Sequence, residues 1–153
     1  MANAITGTEF LPVRLASTQT ITDTTLVDIT GFVFDGLAGR AYEIDAVIIH
    51  FPTTAEDGFK FAVSGSATFT DIRLTMESIF WSTPGYQVVD QLVTKDTAVG
   101  ATPAAPETVT TFIHGTLVVN AAGTVKLQVA QNVNTTGTLN VVAGSVFEYQ
   151  LVQ

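Results

Sequence analysis

Along the last third of the chain, Val125, Leu127 and Val129 alternate with Thr124, Lys126 and Gln128. A period of two puts each set on its own face of an extended segment, so this stretch predicts a half-buried strand. After the turn-prone NVNTTGT segment, Leu139 and Val141 begin another strand. Ala143-Gly144 breaks it, and Phe147, Tyr149 and Leu151 then alternate with Val146, Glu148 and Gln150. Upstream, Thr108 to Asn120 reads as a longer strand, and Ala121-Ala122-Gly123 supplies the turn into the Val125 strand.

The first half repeats the theme. Leu11 to Ala16 and Thr25 to Phe34 read as strands, and a loop from Gly36 to Gly39 leads to Tyr42–Phe51. There Glu43 and Asp45 form the polar half of the alternation, after which both faces turn apolar. Such a run predicts a segment covered on both sides. Gly58 to Ser64 sets Phe59, Phe61 and Val63 against Lys60 and Ala62. Thr68 to Trp81 carries Phe69, Ile72, Leu74 and Met76, Ser82 to Gly85 turns, and Tyr86 to Val93 is a further strand.

No window repeats its apolar residues at helical spacing, and β-branched Thr and Val dominate. The pattern predicts an all-β fold, an antiparallel β-sandwich of jelly-roll type with eight to ten short strands. Asp96 to Thr108, rich in Ala, Pro and Thr, is expected as an exposed loop or a connection between sheets. At 153 residues one core suffices: residues 1–10 read as an N-terminal arm and 11–153 as a single domain.

Charge and chemistry narrow the function. Six basic against fourteen acidic residues give a net charge of −8, which repels a phosphate backbone and argues against nucleic acid as a partner. The absence of Cys removes disulfides and thiolate chemistry. The start MANAITGTEFLPVRLA lacks a basic segment followed by an apolar one, and no long apolar window follows, so synthesis in the cytoplasm and no membrane partner are expected. Asn134-Thr135-Thr136 matches a glycosylation sequon that has no role without secretion.

His50 and His114 stand on separate predicted strands, each read as a sheet histidine bonded to a neighbour. Asp28, Asp35, Glu43, Asp45, Glu56 and Asp57 form no calcium-loop motif, and Glu56-Asp57-Gly58 reads as a hairpin turn. No nucleophile elbow or phosphate loop is present, although fourteen acidic residues offer many carboxylate pairs by chance. The expectation is no enzyme, no catalytic residue, no cofactor and no metal. Trp81 and Tyr86, across Pro84-Gly85, form the best candidate sugar-stacking pair, weighed against aromatics that cap the end of a core.

The blocks TTLVDITGFVFDGLAGRAYEIDAVIIHF (Thr24 to Phe51), GFKFAVSGSAT (Gly58 to Thr68), GTLVVNAAGTVKLQVAQN and AGSVFEYQLV are spread along the chain. In this order they resemble the small jelly-roll proteins of tailed-bacteriophage virions, similar in architecture to the trimeric tumour-necrosis-factor and C1q head domains. The resemblance implies a structural virion protein: a homotrimeric capsid decoration protein on the outer surface of the shell, with itself and the major capsid protein as partners. It also implies that the arm, through Asn3, Ile5, Thr6, Glu9 and Phe10, contacts the capsid. The alternative is a tail or head-fibre module that binds carbohydrate or a receptor, through Trp81 and Tyr86.

Overall fold

The computed structural model describes residues 12–54, 57–81, 85–92, 94–102, 106–133 and 136–152, with 85–92 described through the backbone. In chain order the strands are β1 (Val13–Arg14), β2 (Gln19–Ile21), β3 (Val27–Gly36), β4 (Ala41–Pro52), β5 (Phe59–Ser64) and β6 (Thr68–Phe80). They continue with β7 (Gly85–Leu92), β8 (Val99–Ala101), β9 (Val109–Ala121), β10 (Gly123–Ala130), β11 (Leu139–Val141) and β12 (Val146–Leu151). All pairings are antiparallel, and they form two sheets. The eight-stranded sheet runs β1-β12-β4-β9-β6-β7, with β11 joining β4 to β2; the four-stranded sheet runs β3-β10-β5-β8.

The chain is therefore an all-β antiparallel sandwich, as the alternation predicted. The described residues form twelve strands where eight to ten were expected, because β1, β2, β8 and β11 are each only two or three residues long. Segments that short carry too few alternating positions to register as a pattern. One of them falls inside the expected Asp96–Thr108 loop, where β8 pairs with β5 through Phe59 opposite Ala101 and Phe61 opposite Val99. The Glu56-Asp57-Gly58 hairpin is also corrected. Glu56 lies outside the described residues, and Asp57-Gly58 leads from β4 in one sheet to β5 in the other. Asp57 is fully buried there, and its carbonyl accepts the backbone N–H groups of Asn132 and Val133, both at 2.9 Å. Gly58 has φ 58°, and a Cβ on it would stand 2.6 Å from the Ala101 carbonyl, so the crossing requires glycine.

The core lies between the inward faces of the two sheets. Val125, Leu127 and Val129 of β10 are buried there, as their spacing predicted. So are Ile44, Ala46 and Ile48 of β4, Leu74 and Met76 of β6, and Ile113 and Leu117 of β9. Toward one end, Phe34 stacks on Tyr149 with ring centroids 4.2 Å apart, and Phe32 stacks on Phe147 at 5.5 Å. Toward the other end, Phe59 and Phe61 pack edge-on against His50, at 4.2 and 5.5 Å. Aromatic pairs in these offset and tilted arrangements add to the free energy of area burial.

Candidate interaction surface

The eight-stranded sheet has a second face, which points away from the core. Cross-strand register assembles it in rows. Val146, Val47, Phe112 and Glu77 stand opposite one another in turn across β12, β4, β9 and β6. The next row brings Ile49, Thr110 and Ile79 together. Beyond it lie Phe51, opposite Asn140 of β11, and Trp81 just past the end of β6. Val47, Ile49, Phe51, Ile79, Phe112 and Val146 are each half-buried.

The Ala46–Ile49 run explains this band. The sequence pattern predicted cover on both sides, yet only the inward face, with Ala46 and Ile48, is covered by the second sheet. Val47 and Ile49 face outward, where they are half-buried. The local sequence asks for a second layer that the chain's own described residues do not supply.

Toward the other end of the same face, the rows become polar and acidic. Glu148 stands opposite Asp45, which stands opposite His114 and then Thr75. Gln150, Glu43, Thr116 and Arg73 make the following row. Arg73 is already engaged by Asp71, at 2.7 Å from Nε to the carboxylate. Like charges directly opposite on a sheet repel, so Glu148 and Asp45 destabilise each other slightly.

Trp81 is 67% exposed, and its Nε1–H donates to Thr110 Oγ1 at 3.1 Å. It does not cap the core, because it lies on the outward face, in step with Ile79 two residues before it. The register sets the backbone of Tyr86 opposite Ile79 on β7, and the Tyr86 side chain lies outside the described residues. The proposed arm residues Asn3, Ile5, Thr6, Glu9 and Phe10 also lie outside them, as does Asn134 of the sequon.

The two histidines separate. His50 is fully buried and shares a hydrogen bond with Thr111 Oγ1 at 2.8 Å, which in turn lies 2.8 Å from Ser78 Oγ. It is a sheet histidine bonded to a neighbour, as read from the sequence. Burial without an anionic partner lowers its pKa to about 3, so the ring is neutral at physiological pH. His114 is exposed, in the acidic row beside Asp45. Among the described residues no three His, Asp or Glu side chains are grouped to hold a metal ion. Asp28 accepts from Lys126 and from Gln128, the latter at 2.7 Å, and these bonds hold its carboxyl below the usual range.

The outward residues Ile49, Phe51, Ile79 and Phe112 were not singled out by sequence reasoning. Their signal was nonetheless present as the apolar run on both faces of β4. What the sequence lacked was the register that brings Phe112 and Ile79 beside it.

No protein-family model matches the chain, and no curated protein matches it in sequence. Among solved structures it is similar to a chain in the structure of the infectious bursal disease virus Gx strain, with 10% identity and a TM-score of 0.36. That match covers 93% of this chain and 37% of the other. A second is the VP2 subviral particle of infectious bursal disease virus, with 11% identity, a TM-score of 0.25, and 94% and 41% of the two chains covered. The chain thus spans little more than a third of the first of these structures.

Proposed function

We propose that this chain is a structural, non-enzymatic virion protein that assembles as a homotrimer. In this reading it is a jelly-roll decoration protein, bound to the major capsid protein on the outer surface of a bacteriophage capsid, which it stabilises. The reading rests on the outward face of the eight-stranded sheet, not on the distant structural likenesses. Across its rows Val146, Val47, Phe112, Ile49, Ile79, Phe51 and Trp81 set apolar side chains on one face, with Glu77, Thr110 and Asn140 among them. A contiguous apolar patch bordered by polar residues is the kind of surface that interaction sites use. The flanking rows then form the polar rim that such interfaces carry. The alternation of the chain between sheets supports the jelly-roll reading.

The test uses purified protein and expanded capsids of the virus that carries it. Saturable binding, with capsids made more resistant to heat or chaotrope, is the expected result. A protein indifferent to capsids contradicts the proposal.

One observation favours a second reading, a carbohydrate-binding module of a tail or fibre. The indole of Trp81 is exposed and held in place by Thr110, an arrangement suited to stacking on a sugar ring. Glycan-array binding that is lost in Trp81→Ala, together with no affinity for capsids, would establish this reading over the first.

A further inference from the structure

Among the described residues, strand β3 is the edge of the four-stranded sheet, with β10 on one side and no strand on the other. Such an edge presents backbone N–H and C=O groups that can pair with another chain. Partway along, its ladder with β10 is interrupted. Asp28 pairs with Gln128 and Val33 with Lys126, so Ile29 to Phe32 stand opposite Leu127 alone. Gly31, with φ 82°, makes the bend. This bulge shifts the phase of the strand so that both Ile29 and Phe32 reach the core, with Thr30 and Gly31 exposed between them.

At the bulge, a side chain from the other sheet meets the edge. Gln19 lies on β2, where its backbone pairs with Val141 in the eight-stranded sheet. Its Nε2–H donates to the Asp28 carbonyl at 2.9 Å, while its Oε1 accepts the Thr30 backbone N–H at 3.0 Å and the Thr30 hydroxyl at 3.2 Å. The carbonyl of one residue and the N–H of the residue two further on are the pair that a single residue of a neighbouring parallel strand would bond. The carboxamide of Gln19 therefore takes the place of one residue of an added strand.

We propose that Gln19 is an edge guard: it occupies the ladder positions of β3 at Asp28 and Thr30, and so keeps β3 from pairing with β3 of a second copy. A second copy is the occupant because two identical edges pair antiparallel about a twofold axis, a ladder that needs the same Asp28 carbonyl and Thr30 N–H that Gln19 holds. The contact is separate from the outward face of the eight-stranded sheet, and the inference stands independently of the proposed function.

The experiment compares wild type, Gln19→Ala and Gln19→Glu by amide hydrogen exchange and by mass in solution. In Gln19→Ala, at dilution where it stays unassociated, exchange of the Thr30 amide speeds up roughly five- to tenfold, the loss of about one hydrogen bond. The mass of this variant rises with concentration, in multiples of the wild-type mass. Gln19→Glu keeps the acceptor for Thr30, so Thr30 stays protected. In the wild type, a side-chain amide proton of Gln19 exchanges more slowly than that of an unbonded glutamine, a readout that survives even if Gln19→Ala does not fold. A folded Gln19→Ala of unchanged mass across a hundredfold concentration range overturns the proposal. So does equal loss of Thr30 protection in both variants, or a freely exchanging Gln19 amide in the wild type.

Discussion

On the outward face of the four-stranded sheet, Asp28 takes hydrogen bonds from Lys126 and Gln128 of the adjoining strand, and Lys126 stands opposite Val33 and Ser64. At the corresponding place on the eight-stranded sheet, Val47, Ile49, Phe112 and Ile79 stand together across three strands. Both surfaces belong to antiparallel sheets that share one core, so strand propensity does not distinguish them. On the smaller sheet Asp28, Lys126 and Gln128 find partners within the chain, and the apolar side chains exposed near them, Val27 and Val33, are two valines of one edge strand. The side chains of the larger sheet expose hydrocarbon whose burial gains about 25 cal/mol per Å², available only against another surface. The difference separates a solvated face from a face suited to assembly.

The sharpest test of this comparison uses two neighbouring isoleucines on β4. Ile48 points into the core and is fully buried, whereas Ile49 points outward. Ile48→Ala is expected to cost about 2 to 5 kcal/mol in denaturant unfolding. Ile49→Ala changes unfolding of the dissociated protomer by about 1 kcal/mol or less, while weakening assembly. Equal losses in the protomer would break the distinction between the two faces.

A second test concerns the polar group on the inward face. The folded pKa of His50 lies at about 3, below its ordinary value of 6.5, so the unfolded chain binds the proton more readily. The stabilisation is complete above about pH 6.5 and declines as pH falls toward 3, by up to roughly 4 kcal/mol. Unfolding free energy measured against pH should show this slope. In His50→Leu the part due to this group should vanish, with Thr111 retaining Ser78 as its partner.

On the smaller sheet, the ion pair is partly exposed, so Lys126→Ala should cost less than about 1 kcal/mol. Its share is present above the ordinary Asp pKa and lost as pH falls through the lowered value in the fold. Acid titration of the variant against wild type checks the sign. The smallest effect belongs to the acidic rows. Glu148→Gln removes the like charge opposite Asp45 and should stabilise by a few tenths of a kcal/mol at low salt, with the gain fading as salt is added.

Much of the architecture was legible in the sequence because period-two alternation reports burial on one face directly. Val125, Leu127 and Val129 are buried as their spacing indicated, and so is Phe147. The shortest strands were not legible, since β8 holds three residues of a Gly- and Ala-containing segment and owes its pairing to β5, distant in sequence. Polar residues at buried positions escaped for a similar reason. Ser78 and Thr111 continue the alternation of the core, but their hydrogen bonds to each other and to His50 depend on register. The candidate surface was half legible. The apolar run in β4 indicated cover on two sides, whereas its continuation through Phe112 and Ile79 required the alignment of β4, β9 and β6. Trp81 was noticed as an aromatic, but a strand end alone did not tell an outward indole from one that closes the core.

The most direct test of the central claim is the mass in solution of the wild type and of Ile49→Asp, measured side by side by sedimentation velocity. The account predicts a trimer for the wild type and a folded monomer for the variant, because a carboxylate in the centre of the apolar band cannot be desolvated without a partner. A monomeric wild type, or an Ile49→Asp protein that remains a trimer, would contradict it.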